Sequence, residues 1–136
     1  MVRIRVVSSK NEISDLSPNE TIVHITFRPS GIDLMYLMKT CPRLRAIQVS
    51  PAYKKNLSKA TKSILDMQGV DLIEGYVWGH RTDIDEYYVI DNGVVKKIVD
   101  LTANGKSIDE VVTYIKKSTK LSPEIIKYIA KQKMVM

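Results

Sequence analysis

The chain has 136 residues, 44% hydrophobic and 26% charged, which is long enough for one buried core and too apolar for disorder. Six Gly, five Pro and one Cys exclude collagen-like and disulfide-framework classes. No run approaches the ~20 apolar residues of a membrane span, so no membrane partner is expected. The net charge of +6 is uneven: residues 1–91 hold 12 basic and 11 acidic side chains, whereas residues 92–136 hold nine Lys against Asp100, Asp109, Glu110 and Glu124. A basic last third is a candidate footprint for a polyanion; the plainer alternative is a solvated, lysine-rich helical surface. The start, Met1 to Val7, lacks the apolar run of a secretory signal, and the lone Cys41 points to a reducing cytoplasm.

Strand-like and helix-like segments alternate over the first ninety residues. Arg3–Val7 is rich in β-branched residues and ends in Ser8-Ser9-Lys10, a first strand. Thr21–Phe27 is a second, stopped by Arg28-Pro29-Ser30-Gly31, where Ser30 is placed to cap a helix carrying Ile32, Leu34, Met35, Leu37 and Met38. Leu44–Val49 gives a third strand and Ser50-Pro51-Ala52-Tyr53 a loop; Leu57–Gln68 gives a helix stopped by Gly69, and Val70–Trp78 a fourth strand. Strand and helix alternating through short connections predict right-handed crossovers and a four-stranded, mainly parallel α/β sheet of Rossmann or flavodoxin type. Residues 1–91 form this sheet domain and residues 92–136 a helical segment.

Alternation within the strands adds a second expectation. His24, Thr26 and Arg28 oppose Val23, Ile25 and Phe27, while Ala46, Gln48 and Ser50 oppose Ile47 and Val49. Parallel strands covered on both faces read as continuous apolar runs instead. One face is therefore expected to carry most of the helices. The semi-polar face, with His24, Thr26 and Gln48, is expected to be covered by the C-terminal helices or by a second copy, or to serve as a protein-interaction surface. A homodimer is the favoured assembly.

Tyr87-Tyr88-Val89-Ile90 looks like a strand, and Asp91-Asn92-Gly93 can open either a hairpin or a helix through Val94, Val95, Ile98 and Leu101. The helix is preferred because two further helix starts come after it in the chain. Ser107 and Glu110 form a capping box ahead of Val111, Val112 and Ile115, and Ser122-Pro123 starts a last helix that buries Ile125, Ile126 and Ile129.

These three short helices, with Gly105-Lys106-Ser107-Ile108-Asp109-Glu110-Val111 and Leu121-Ser122-Pro123, resemble a helix-turn-helix DNA-binding module. The resemblance implies a third helix entering the major groove with Glu124, Lys127, Tyr128 and Lys131 exposed; Lys116 and Lys117 add charge nearby. The ten-residue spacing from Val112 to Ser122 departs from the pattern by making the second helix about one turn too long. No Arg comes after Arg81, so the module suits phosphate contact or a protein partner better than guanine reading. The expected partner is DNA.

A second constellation sits at the carboxyl ends of the strands, where open parallel sheets bind ligands. Arg28, Ser30, Gly31, Lys54, His80 and Arg81 would converge there as a site for a phosphorylated or carboxylated small molecule, with Ser30 and Gly31 heading a helix. The sequence contains no G-x-G-x-x-G, Walker loop, paired cysteines or H-E-x-x-H. No catalytic residue, metal or cofactor is therefore assigned, and enzymatic activity is the minority reading.

Val2 to Ser9, Cys41 to Ser50 and Glu74 to Arg81 together resemble a small archaeal family of unknown function found chiefly in methanogens. The resemblance spans nearly the whole length and implies a cytoplasmic protein. It supplies no functional residue.

Overall fold

The computed structural model describes residues 2–75 and 87–135. Five strands, β1 (Val2–Val7), β2 (Ile22–Ile25), β3 (Ala46–Val49), β4 (Asp71–Glu74) and β5 (Tyr87–Ile90), form one sheet in the order β4-β3-β2-β1-β5. The first four are parallel, with Val6 beside His24, His24 beside Gln48 and Gln48 beside Ile73. Strand β5 runs antiparallel along β1, with Arg5 opposite Tyr87 and Arg3 opposite Val89. The expected four strands thus gain a fifth, and the sheet is mixed.

The strand order also corrects the Rossmann or flavodoxin expectation. Those folds reverse strand order between their halves, and the reversal creates a ligand crevice. Here β1 to β4 step in a single direction. Right-handed crossovers then place every connecting helix on the same face. The 3₁₀ turn Lys10–Asp15, α1 (Gly31–Thr40) and α3 (Lys59–Met67) do lie there. They pack Ile13, Leu34, Leu37, Cys41 and Leu65 onto Val7, Val23, Ile25, Ile47 and Val49.

Local chemistry explains the helix boundaries. Ser30 caps α1, its Oγ accepting from the Asp33 amide at 3.2 Å while the Asp33 carboxylate accepts from the Ser30 amide at 2.8 Å. Ser50-Pro51, expected as loop, instead heads the short α2 (Pro51–Asn56), with Pro at a first-turn position where its missing amide costs nothing. The helix expected from Leu57 starts at Lys59 because Ser58 takes the cap, its Oγ accepting from the Thr61 amide at 3.1 Å. Gly69, at φ 73°, terminates it in a left-handed conformation that side chains disfavour.

The other sheet face is covered by α4 (Asn92–Ala103), α5 (Ile108–Lys116) and α6 (Pro123–Val135). Ile4, Ile22, Ala46 and Ile90 meet Ile98, Val111, Ile115, Leu121, Ile125, Ile126, Ile129 and Ala130 in a second core. Asp91 caps α4, so Asp91-Asn92-Gly93 opens a helix rather than a hairpin. His24 and Gln48 are fully buried on this face, joined by a 3.0 Å hydrogen bond in which the His24 Nδ1–H donates to Gln48 Oε1. The chain's own tail therefore covers the semi-polar face. Among the described residues, His24 and Gln48 are not presented to a second copy or an adaptor partner.

Candidate nucleic-acid interface

Helix α5 starts at the expected capping box, with Ser107 Oγ accepting from the Glu110 amide at 3.2 Å. Helix α6 starts at Ser122, whose Oγ accepts from the Ile125 amide at 3.4 Å. The extra residues after Val112 lengthen the connection, not the helix: α5 ends at Lys116 and α6 begins at Pro123, leaving residues 117–122 between them. Leu121 is buried within that connection, and its amide donates to Thr119 Oγ1 at 3.3 Å. A longer turn with its own apolar anchor replaces the usual three to four residues.

Lys116, Lys117, Lys120, Lys127 and Lys131 are all exposed. They run from the end of α5 through the turn and along α6. Tyr128 is not part of this set. It is buried in the tail core, and that burial, with the neighbouring Asp71 charge, pushes its phenol up to about 12. The physical reason is that α6 has two partners, the helices α4 and α5 on one side and the sheet on the other, so its apolar arc is wider than a one-sided helix needs. The exposed aromatic of the tail is Tyr114 on α5, beside Lys117.

Helix α6 also lies against the edge strand β4. Gln132 Nε2 donates to Asp71 Oδ2 at 3.4 Å. At the other end the Glu124 carboxyl group lies against Gly75, a Cβ built there standing 2.9 Å from its carbon, and the φ of 109° is what favours glycine at that position. Between these contacts opens a cleft of about 410 Å³ lined by Lys54, Asp71, Leu72, Ile73, Glu74, Glu124, Lys127, Tyr128 and Lys131.

The strand-end constellation is split. Arg28, Ser30 and Gly31 line a separate cleft of about 410 Å³ with Asn56, Leu57, Ser58 and Thr61, where the N-termini of α1 and α3 meet. Lys54 faces the α6 cleft instead. His80 and Arg81 lie outside the described residues. Both helix starts in the first cleft are capped from within the chain, and Asp33 is further held by Lys10 at 3.4 Å. Burial alone would raise the Asp33 pKa, but hydrogen bonds from Ser30 and the Lys10 charge outweigh it and lower the group below its ordinary value.

Sequence reasoning missed one polar cluster. The Tyr87 hydroxyl donates to the Glu20 carboxylate, and the Arg3 and Arg5 guanidinium carbons lie 4.3 and 5.2 Å from the Tyr87 ring centre. This cluster joins β5 to β1 and to the entry of β2. Burial and the Glu20 partner raise the Tyr87 pKa. The arginines were visible as one face of β1, but nothing local pairs them with a tyrosine more than eighty residues away.

An α/β domain whose sheet is covered by a helix-turn-helix tail is the class that this geometry defines. Residues 3–86 match the N-terminal domain of a family of unknown function, DUF1699, and residues 93–131 match the C-terminal helix-turn-helix domain of the same family. The chain belongs to this family. No curated protein and no solved structure matches it. Among the described residues, no helix is long and apolar enough to cross a membrane.

Proposed function

We propose that this chain is a nucleic-acid-associated regulatory protein, with residues 92–136 as the binding segment and residues 1–91 as its scaffold. The observation that carries this reading is the set of five exposed lysines on the end of α5, the turn and α6, within the segment matched to the helix-turn-helix domain. The tail contains no Arg, whose planar fork reads guanine; lysine acts mainly as a point charge on phosphate. Binding is therefore weak in sequence preference and strong in salt dependence.

A mobility-shift titration with duplex DNA at several salt concentrations tests it. Lys127→Ala with Lys131→Ala is expected to flatten the slope of log affinity against log salt by about two units, roughly one per lost phosphate contact. Both side chains are exposed, so the fold is expected to survive. A duplex that does not shift at low salt, or a double variant with the parent's slope, makes the tail a structural bundle.

The second reading is a binding site for a small anion at Arg28, supported by the cleft where two helix N-termini open beside that guanidinium. Arg28→Ala separates the two readings within the same titration. It is expected to leave the DNA slope unchanged while weakening binding of inorganic phosphate. Equal phosphate binding by parent and variant removes the anion-sensing role.

A further inference from the structure

The contacts along α6 have a consequence for its lysines. From Glu124 to Gln132 the helix spans about 12 Å at 1.5 Å per residue. From Asp71 to Gly75 the strand spans about 13 Å at 3.3 Å per residue. Glu124 touches the Gly75 end of β4, and Gln132 touches the Asp71 end. The helix therefore lies antiparallel along the edge strand, matched to it in length. Lys127 and Lys131 fall between the two contacts, in a cleft that also holds Lys54, Asp71, Glu74 and Glu124. Three lysines and three acidic residues line this cleft, which is formally neutral, and no ion pair within 4.0 Å joins them among the described residues. The lysines at 116, 117 and 120 do not line this cleft; Lys117 instead shares one on α5 with Asp109 and Glu110.

We propose that the acidic edge of β4 is an intramolecular competitor for the phosphate backbone, holding α6 in a state of low affinity for nucleic acid. The proposal rests on the nucleic-acid reading above and specifies how that site is controlled. Asp71 and Glu74 are exposed, so they repel an approaching phosphate as well as offsetting the lysines that would attract it. The strand is also an obstacle. A major groove about 12 Å wide just admits a helix 10–12 Å across, and leaves no room for a strand lying beside it. While docked on β4, α6 meets a duplex only along its outer edge, on phosphates.

The test is a fluorescence-anisotropy titration of the full chain against a labelled 20-base-pair duplex over a range of salt. The parent is compared with Asp71→Asn/Glu74→Gln, and with a control pair, Asp15→Asn/Asp66→Asn, which changes the net charge equally on the far side of the sheet. The edge pair is expected to tighten binding about tenfold at low salt, against a change of less than about threefold for the control pair, because only nearby charges escape screening. Adding Lys127→Ala/Lys131→Ala to the edge pair is expected to abolish the gain. Glu74→Gln alone, whose side chain makes no hydrogen bond among the described residues, carries the test should loss of the Asp71–Gln132 contact unfold the tail. An edge pair that binds no tighter than the control pair overturns the competitor while leaving DNA binding standing. If neither the parent nor any variant binds, the nucleic-acid reading falls and the competitor falls with it.

Discussion

The two covers of the sheet are built differently. Under α1 and α3 the strands present Val7, Val23, Ile25, Ile47 and Val49, an apolar layer bordered on β1 by the buried Arg5. Under α4 to α6 they present Ile4, Ile22, Ala46 and Ile90 around the buried pair His24 and Gln48. The first cover is an obligate product of topology, since each crossover between parallel strands must lay its helix there. The second is appended by the chain after the sheet is complete. It also carries a polar cost: Gln48 Nε2 is buried and has no hydrogen-bond partner among the described residues. A buried unsatisfied donor costs about 1–3 kcal/mol. An appended cover can open without breaking a crossover between strands, so the tail is the one expected to open first, which is the behaviour a docked binding helix requires.

The largest test removes one core side chain from each cover. Leu37 and Ile126 are both fully buried, and either replaced by Ala is expected to cost about 2–5 kcal/mol. The difference lies in where the loss appears. Ile126→Ala is expected to speed amide exchange in α4, α5 and α6 while β2 and β3 keep their protection. Leu37→Ala is expected to lower protection across the sheet and both covers, because the sheet cannot survive the loss of its crossover layer. Equal loss of protection in β2 and α6 in both variants would make the two covers a single cooperative unit.

Alkaline pH sharpens the same comparison, because each cover buries a group that ionises only in alkali. Under the first, burial pushes the Cys41 thiol from 9.0 up to about 11; under the second, it pushes the Tyr128 phenol from 10.0 up to about 12. Both groups are anions when deprotonated, and both are held neutral in the folded chain. The unfolded chain therefore releases these protons at lower pH than the folded one, and stability falls as pH rises from the ordinary value to the raised one. Each shift of about two units corresponds to roughly 2–3 kcal/mol at 1.36 kcal/mol per unit. Urea melts of the parent should weaken between pH 9 and 11 through Cys41, and between pH 10 and 12 through Tyr128. Cys41→Ala is expected to remove the first loss and Tyr128→Phe the second. A parent whose urea midpoint is flat across this range would place both groups in contact with water.

The sequence pattern disclosed the helix starts of both covers. Period-two alternation in β1 to β3 and the caps at Ser30, Ser107 and Ser122 are local signals, and each element they mark is present. The place of β5 was not legible. Tyr87-Tyr88-Val89-Ile90 announces a strand, yet its partner β1 lies at the opposite end of the domain, and only the assembled sheet shows which edge is free to take it. The exposed lysines of α6 were legible in helical spacing because they occupy the side opposite Ile125 and Ile129. Tyr128 departs from its expected exposure for a related reason. Spacing gives the centre of an apolar stripe but not its width, and the width here is set by a second neighbour. The division of the strand-end residues into two clefts was equally hidden. Lys54 belongs to a short helix that Ser50-Pro51 starts by the same chemistry as Ser122-Pro123, a signal read as loop, and that helix carries it away from Arg28.

The smallest test compares two helix caps of similar chemistry. On the first cover the Ser30 hydroxyl oxygen accepts from the Asp33 amide at 3.2 Å and the Asp33 carboxylate accepts from the Ser30 amide at 2.8 Å. On the second, Ser107 Oγ accepts from the Glu110 amide at 3.2 Å and its hydroxyl donates to the Glu110 carboxylate at 3.2 Å. Either Ser replaced by Ala is expected to cost about 1 kcal/mol. The two should part company in acid. The lowered pKa of Asp33 means that its carboxylate stabilises the fold above the ordinary value of 3.8 and that this contribution disappears as pH falls through the lowered one. Because the Asp33 carboxylate and Ser30 hydroxyl support each other, Ser30→Ala is expected to matter less at pH 2 than at pH 7. Where each loss is felt depends on the covers themselves. At neutral pH, Ser30→Ala should lower the melting temperature of the whole chain, since α1 closes a crossover that the sheet needs. Ser107→Ala should mainly raise amide exchange in α5, with the first cover unmoved. Matching losses of melting temperature, with matching exchange in α1 and α5, would show that the tail is as integral to the sheet as its crossovers are, and would leave no weaker cover from which α6 could be released.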